Sequence, residues 1–316
     1  MDGMEGREQG AAQVGMPGNV PGTQMAARWN SEASFFDRIA EKLAEDLHPT
    51  DPLTVARYRG PRRPWFNKEL RFQLLGDLRG QRVLDVGCGE GSNAVLMARF
   101  GAEVTGIDIS PGSIALCKRR AALDGVTHRT RFICAPLETV RLPAGSFDII
   151  WGDGVLHHVI PELNKVMEKL VRWAKPEALF LFSEPVCLSP LLRRLRRHVP
   201  IHTDATPDER PLEAPEMTVL RTYLPDLRMR WFGLLSRLDR FVVVNRNYER
   251  SSLLRRAGAD VLGLIDRIVL SVPALQPLGS MCVMYGTMNG AARRRPAPVD
   301  LSCSSIGRTE GPVQHP

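Results

Sequence analysis

The stretch Gln81–Ser110, QRVLDVGCGEGSNAVLMARFGAEVTGIDIS, constrains this chain more than any other. It reads as a strand, a glycine turn, a helix and a second strand. The first strand, Arg82–Val86, carries Asp85 near its end. Gly87, Gly89 and Gly91 then alternate with Cys88 and Glu90. Glycine is the residue that lets backbone approach a ligand with no Cβ in the way. The helix Ser92–Phe100 would offer its unpaired N–H groups to whatever polar group sits in the turn. The second strand, Ala102–Ile107, ends at Asp108, a carboxylate able to accept both hydroxyls of a ribose.

The spacing narrows the reading. A dinucleotide fingerprint requires G-x-G-x-x-G, with its third glycine where helix meets strand. Here the run is G-x-G-x-G with an acid two residues before it. This resembles the nucleoside-binding loop of class I S-adenosylmethionine (SAM)-dependent methyltransferases. The resemblance implies SAM as cofactor and S-adenosylhomocysteine as product. It places Asp85, Gly87, Cys88, Gly89 and Gly91 against the amino-acid end of SAM, and Asp108 with Ile109 at its ribose. A tight turn in some other α/β protein would not need five matched features in register. Two rivals stay open: an NAD-dependent oxidoreductase of the same superfold, and a protein that binds SAM without catalysis.

Length and composition permit one large domain or two small ones in 316 residues. Apolar content of 43% supports a substantial core, and a net charge of +7 reads as solubility before it reads as a nucleic-acid surface. Nucleic acid is therefore not expected as a partner. Cys88, Cys117, Cys134, Cys187, Cys282 and Cys303 lack C-x-x-C spacing and sit mostly in apolar runs. They read as small buried hydrophobes in a reducing compartment, with no metal site. The opening MDGMEGREQGAAQVG has no apolar core, and no apolar run reaches membrane-spanning length, so a cytoplasmic location is expected.

Residues 1–28 lack periodicity and read as disordered. Ser31 offers an N-cap to a helix bearing Phe35, Phe36, Ile39, Leu43 and Leu47; a break at Pro49–Pro52 and a helix over Lys68–Leu78 follow. By the resemblance, residues 29–80 form a lid over the cofactor, with Arg63, Trp65 and Phe66 as candidate lid residues. Ser110-Pro111 starts the next helix, and Asp124-Gly125 ends it. Strands follow at Thr130–Ala135, Ser146–Asp153 and Ala178–Ser183, with a helix over Pro161–Ala174 between the last two. Such alternation implies a parallel sheet with right-handed crossovers and a ligand outside the strands' carboxyl ends. The expected fold is a doubly wound α/β domain with a mostly parallel seven-stranded sheet and helices on both faces.

Beyond the core region 81–186, order is weaker. Leu191–His198 is basic and amphipathic, and Asp204–Glu216 reads as a loop. Leu227–Leu235 and Ser280–Met288 are candidate last strands, the final one antiparallel, flanking an insertion at 236–277. Its helix, about Ser252–Val272, carries Leu254, Ala257, Val261, Ile265, Ile268 and Val272 on one side and is expected to pack that side on the domain. Contact with a membrane surface is the minority reading. The methyltransferase domain would then occupy 29–290, its acceptor side 187–290, with 291–316 a disordered tail.

The resemblance also locates chemistry. The family commonly places an acid after the third strand to reach adenine. Pro136 stands there, with Leu137 and Glu138 as substitutes, and Asp153 ends the fourth strand at the cofactor. Gly154-Val-Leu-His-His158 resembles the family's LHH stretch, which makes His157, His158 and Glu184 the candidate catalytic residues. Adjacent helical side chains diverge by about 100°, so the two histidines are not expected to serve one site. Trp151-Gly152-Asp153-Gly154 stands where amine-methylating relatives carry (D/N)-P-P-(Y/F). That leaves a small-molecule, quinone-like or lipid-like acceptor, methylated on oxygen, carbon or nitrogen.

Overall fold

Seven strands in the described residues make one sheet, ordered β3-β2-β1-β4-β5-β7-β6. They are β1 (Arg82–Val86), β2 (Glu103–Asp108), β3 (Thr130–Cys134), β4 (Phe147–Asp153), β5 (Ala174–Pro185), β6 (Arg228–Phe232) and β7 (Met281–Gly286). The first five run parallel; β7 lies antiparallel between β5 and β6. The computed structural model describes residues 23–189, 194, 210–243 and 248–288. No helix among them is long and apolar enough to cross a membrane.

Alternation along the central strands builds two cores. Ile149 and Trp151 of β4 with Leu179 and Leu181 of β5 face α3 (Asn67–Leu75) and α4 (Ser92–Arg99). Ile150, Phe180 and Phe182 face α6 (Leu163–Trp173) and α7 (Ala214–Tyr223). Successive strand residues point to opposite faces, and a strand buried on both reads as the continuous apolar run seen in the sequence. The switch from the β1-β2-β3 side to the β4-β5 side falls between β1 and β4. In open α/β sheets the ligand crevice opens at such a switch point, at the strands' carboxyl ends.

Several expected elements shift. Helix α1 runs from Thr23 to Ala44, so 23–28 are helical and Ser31 lies inside the helix instead of capping it. The break at Pro49–Pro52 is a helix start. The Asp51 side chain accepts from Leu53 N and proline opens α2 (Pro52–Arg59), a position where its missing N–H costs nothing. The loop expected over 204–216 is helical from Ala214, with Glu213 and Glu216 forming a capping box. Helix α5 (Pro111–Leu123) starts as expected, Ser110 accepting from Ser113 N. Cys134 is exposed, against its reading as a buried hydrophobe. Residues 1–22, all of Leu191–His198 except Arg194, 204–209, Cys303 and the tail 291–316 lie outside the described residues.

The insertion departs most. It holds a short α8 (Asp239–Val242) and a long α9 (Leu253–Val269) capped by Ser252. Ala259, Gly263 and Asp266 face inward, while Leu254, Val261, Ile265 and Ile268 are exposed. The apolar side expected to pack on the domain therefore points away from it. Polar anchors set this rotation. Asp266 accepts the N–H groups of Gly233, Leu234, Leu235 and Ser236, and Asp260 accepts from Trp65 Nε1 at 3.1 Å and Tyr248 OH at 2.7 Å. Buried carboxylates must be hydrogen-bonded, and burying these two carries the helix round with them.

Candidate cofactor and acceptor site

The loop after β1 is a run of left-handed turns: Gly87, Gly89 and Gly91 have φ of 65°, 51° and 81°. An L-residue rarely adopts these values. The three glycines differ in their surroundings. A Cβ on Gly91 would lie 2.8 Å from Cys117 Sγ and one on Gly87 2.5 Å from Val155, whereas one on Gly89 meets nothing within 4 Å. Space above the loop is thus open at Gly89, where a ligand needs backbone in close approach. Cys88 is buried beneath, its Sγ 3.9 Å from that of Cys117, and donates its N–H to Ile107 O. Cys88 supports the turn from below.

Asp108 closes the far side of the loop. Its Oδ2 accepts from Gly89 N at 2.9 Å and its Oδ1 from Ser110 N at 2.9 Å. Burial pushes its carboxyl up, against the lowering effect of the N–H groups of Ser110, Gly89 and Ile109. Each oxygen keeps a second lone pair for a ligand hydroxyl. Asp108 therefore shapes the loop while keeping acceptor capacity toward the open side.

At the opposite side, four charged or amide groups converge. Arg71 of α3 places Nη1 2.9 Å from Asp153 Oδ2, and Asn93 Nδ2 donates to the same oxygen at 3.0 Å. Arg71 also stacks over the Trp151 ring at 4.7 Å. Beside them Lys68 is pushed down to about 8 by burial and then by Arg71. Buried Asp85 is pushed well above the usual carboxylate range, first by burial and then by Asp153, Glu90 and Asp108. Arg71 Nε, Asn93 Oδ1 and Asp85 Oδ2 are buried with no hydrogen-bond partner in the protein. Orphaned donors and acceptors of both signs fit an amino-acid group, with carboxylate toward Arg71 and ammonium toward Asp85 and Asn93. The ring of acids also suits a sulfonium and disfavours the pyrophosphate of a dinucleotide. Arg71, Asn93 and Lys68 were not singled out in the sequence. The signal was there: Asn67 and Arg71 stand at i, i+4 in a helix whose buried side also carries Glu69 among Leu70, Phe72 and Leu75.

Across the mouth lies the histidine turn. Leu156–His158 is a single 3-10 turn. Glu184, fully buried at the end of β5, accepts the N–H groups of Val155 and Leu156 on Oε1, both at 2.9 Å. His157 Nδ1 donates to its other oxygen at 2.8 Å. The two histidines do not diverge as the helical geometry predicts: their ring centroids are 4.2 Å apart, and His158 meets Phe36 of α1 at 5.5 Å. The rings form one aromatic wall.

Helix α1, the first part of the expected lid, packs on α5 and reaches the histidine turn through Phe36. Asp37 accepts from Ser110 Oγ at 2.5 Å and Gly112 N at 2.8 Å, and Arg28 pairs with Glu138 at 2.6 Å. Glu138, expected near adenine, is thus an anchor for the lid. Leu137 is buried in the core. Arg63, Trp65 and Phe66 meet the insertion: Trp65 bonds Asp260, while Phe66 and Arg63 pack on Tyr248 at 5.5 and 4.1 Å. Next to them, Asn67 Nδ2 donates to Ser183 Oγ at 3.1 Å, which ties lid and insertion to the end of β5.

A family model described as a methyltransferase domain matches residues 84–182. The ubiquinone biosynthesis O-methyltransferase of Bordetella avium is 33% identical over 160 residues, half of this chain and 56% of that protein. The mitochondrial ubiquinone biosynthesis O-methyltransferase of Schizosaccharomyces pombe is 42% identical over 105 residues, 33% of this chain and 38% of that protein. The chain thus spans 56% and 38% of the length of these two relatives. Among solved structures, the geranyl diphosphate C-methyltransferase of Streptomyces coelicolor is alike in fold. It has a TM-score of 0.52 at 14% identity, over 85% of this chain and all of that one. The glycine turn, the carboxylate ending β2 and the histidine turn after β4 all lie inside the matched span, and residues 84–182 match as a methyltransferase domain.

Proposed function

We propose that this chain binds SAM across β1, β2 and β4 and transfers its methyl group to a small quinone-like or lipid-like acceptor. The observation that carries this is the placement of orphaned Arg71, Asn93 and Asp85 atoms and the open Gly89 turn opposite a His157–Glu184 pair. Arg71 would hold the cofactor's carboxylate, Asp85 and Asn93 its ammonium, and Asp108 its ribose. Bound there, SAM supplies an electrophilic methyl group on a sulfonium.

The chain's own residues supply the rest. Glu184 fixes the His157 proton on Nδ1, so the basic lone pair is on Nε2. That nitrogen takes the proton of an acceptor hydroxyl, and Glu184 stabilises the imidazolium that results. This favours O-methylation. The lid α1 and the Phe36–His158 contact keep water from the mouth. A cavity of about 390 Å³ between lid and insertion, lined by Phe66, Tyr248, Arg57 and Arg240, gives an aromatic and basic approach for the acceptor. The relatives' name, ubiquinone biosynthesis O-methyltransferase, supports a quinone-like acceptor methylated on oxygen. The buried thiols Cys88 and Cys117, 3.9 Å apart, suit a reducing compartment such as the cytoplasm.

The test has two stages. Calorimetric titration with SAM and with NAD should show binding of SAM alone, lost in Arg71→Gln. Labelled methyl from SAM should then appear in the organic-soluble fraction of a cell extract with the native chain and not with His157→Ala. Label only in protein or RNA would overturn the acceptor class, and binding of NAD in place of SAM would overturn the cofactor.

A further inference from the structure

Helix α9 presents an apolar ridge to the outside, and the protein is built to hold it there. Leu254, Val261, Leu264, Ile265, Ile268 and Val272 follow one another at helical spacing. Leu254 is 84% exposed, Ile268 61% and Val261 55%, so these side chains stand proud of the surface and do not line a groove. Phe241, at the end of α8, is 72% exposed on the segment that packs against α9. A helix with one apolar stripe ordinarily turns it inward. Here Asp266, at 1% exposure, and Asp260 face inward and are bonded there. Gly263 sits so close on Trp65 that a Cβ would lie 2.7 Å from its ring. The inward face is a fitted joint, which leaves the apolar face no other orientation.

The charges around the ridge are of one sign. Within the described residues of 233–279, every charged side chain classed as exposed is an arginine: Arg237, Arg240, Arg250, Arg255 and Arg267. Of the acids in the same stretch, Asp266 is buried in the joint and Asp260 is held there by Trp65 and Tyr248. Glu249 pairs with Arg57, and Asp239 is half-buried beside Arg240. Arg250 pairs with Asp51 at 2.9 Å, while Arg255 and Arg267 flank the ridge itself. A second copy of the chain would bring arginines against arginines across a two-fold axis. The chain's own remaining segments are arginine-rich as well, at Arg193–Arg194, Arg196–Arg197 and Arg293–Arg295. The complementary partner is negative and flat, with an apolar interior behind its charge.

We propose that the α9 ridge, with Phe241 beside it, docks the protein onto a bilayer carrying anionic headgroups. The aliphatic side chains enter the acyl boundary and the flanking arginines meet the headgroups, as in amphipathic helices that lie in the interface. The inner face of the same helix holds Trp65 and Tyr248, which border the lid and the cavity. A docked molecule therefore receives a lipid-like acceptor near that opening. This deepens the acceptor reading, but the binding itself does not depend on methyl transfer.

The experiment is co-sedimentation of the full chain with vesicles of phosphatidylcholine alone or mixed with phosphatidylglycerol, without SAM or acceptor. The variants are Leu254→Asp with Ile268→Asp, and Arg255→Glu with Arg267→Glu; melting, sedimentation velocity and SAM titration are run on each. The native chain should bind only the mixed vesicles, less as salt rises. Each double variant should lose roughly tenfold or more in vesicle affinity, with melting and SAM affinity unchanged. Equal vesicle binding by the variants would overturn the proposal. So would a melting temperature lowered by the aspartates, which would show the ridge covered by the chain itself, or a native dimer that they dissociate. Failure of the native chain to bind SAM would overturn the proposed function and leave the vesicle result standing.

Discussion

His157 Nδ1 lies 2.8 Å from Oε2 of Glu184, whose other oxygen accepts the N–H groups of Val155 and Leu156. One buried carboxylate thus fixes both the backbone of the histidine turn and the tautomer of its first ring. Glu184 is expected from the sequence as a candidate catalytic residue; its contacts are those of an anchor for the turn, and in the proposed mechanism it orients His157. Glu184→Gln has a single oxygen, so keeping it on the loop N–H groups turns an NH2 donor toward the ring. It should lower methyl transfer less than His157→Ala, which removes the base and should cost about 10²–10⁴-fold in kcat. SAM affinity, measured separately by titration, should change little in either. A His157→Ala enzyme with native kcat would remove the base from the mechanism.

Asp85 tests the electrostatics of the site. Its carboxyl is pushed well above its ordinary value of 3.8 by burial and by three neighbouring carboxylates. Between that ordinary value and the raised one, the folded protein holds a proton that the unfolded chain has lost. Stability of the ligand-free protein therefore falls as pH rises through this window, the reverse of a salt-bridged aspartate. Asp85→Asn removes that penalty. Its Tm at pH 7 should exceed the native value, by roughly 2–4 °C for each kcal/mol relieved, while SAM binds more weakly. Thermal melts at pH 4 and pH 7 check the sign: the gain should shrink at the lower pH.

The sheet was legible because its strands are buried on both faces. Arg82–Val86, Glu103–Asp108 and Phe147–Asp153 lie within a residue of where their apolar runs put them. The glycine loop was legible because only one backbone path suits alternating glycines. The helices before β1 were legible in outline, but where they dock was not, since distant partners fix their position. Asp37 is fixed by Ser110, and Arg28 by Glu138, contacts that no local pattern announces. The rotation of α9 was misread for a related reason. Periodicity locates an apolar face but not its direction, and here two aspartates bound to the lid and to the 233–236 turn decided it. Arg71 was overlooked because a lone arginine in a short helix reads as a solvated charge until Asp153 and Trp151 are seen around it.

Gly89 and Gly91 separate binding from folding. Both have positive φ, but a methyl group on Gly91 collides with Cys117, and one on Gly89 projects into open space. Gly91→Ala should destabilise the fold by about 1–3 kcal/mol, from strain and overpacking together. Gly89→Ala carries the smaller strain alone, yet its methyl occupies the approach to the loop. It should melt closer to the native protein and lose most SAM affinity. Urea unfolding and calorimetric titration of the two variants should therefore rank them in opposite orders. A Gly89→Ala protein that binds SAM normally would place the cofactor elsewhere.

Asp266 tests whether the outward ridge is imposed from within. Its two oxygens accept four backbone N–H groups between Gly233 and Ser236, along with the Ser236 hydroxyl at 2.6 Å. Asp266→Ala strands those donors in a buried turn, each lost charge-assisted bond being worth roughly 1.5–3 kcal/mol. Because neighbouring losses are not additive, the expected total is on the order of 3–5 kcal/mol. Asp266→Asn retains one acceptor oxygen and replaces the other with a donor facing donors, so it should recover only a minor part. Hydrogen exchange localises the effect. Protection should fall across 233–236 and α9 while the amides of β1 and β4 keep theirs, since the parallel core does not depend on this turn. Uniform loss across the sheet would show the insertion to be part of the folding core, and an unchanged pattern would show that α9 holds its orientation without the aspartate.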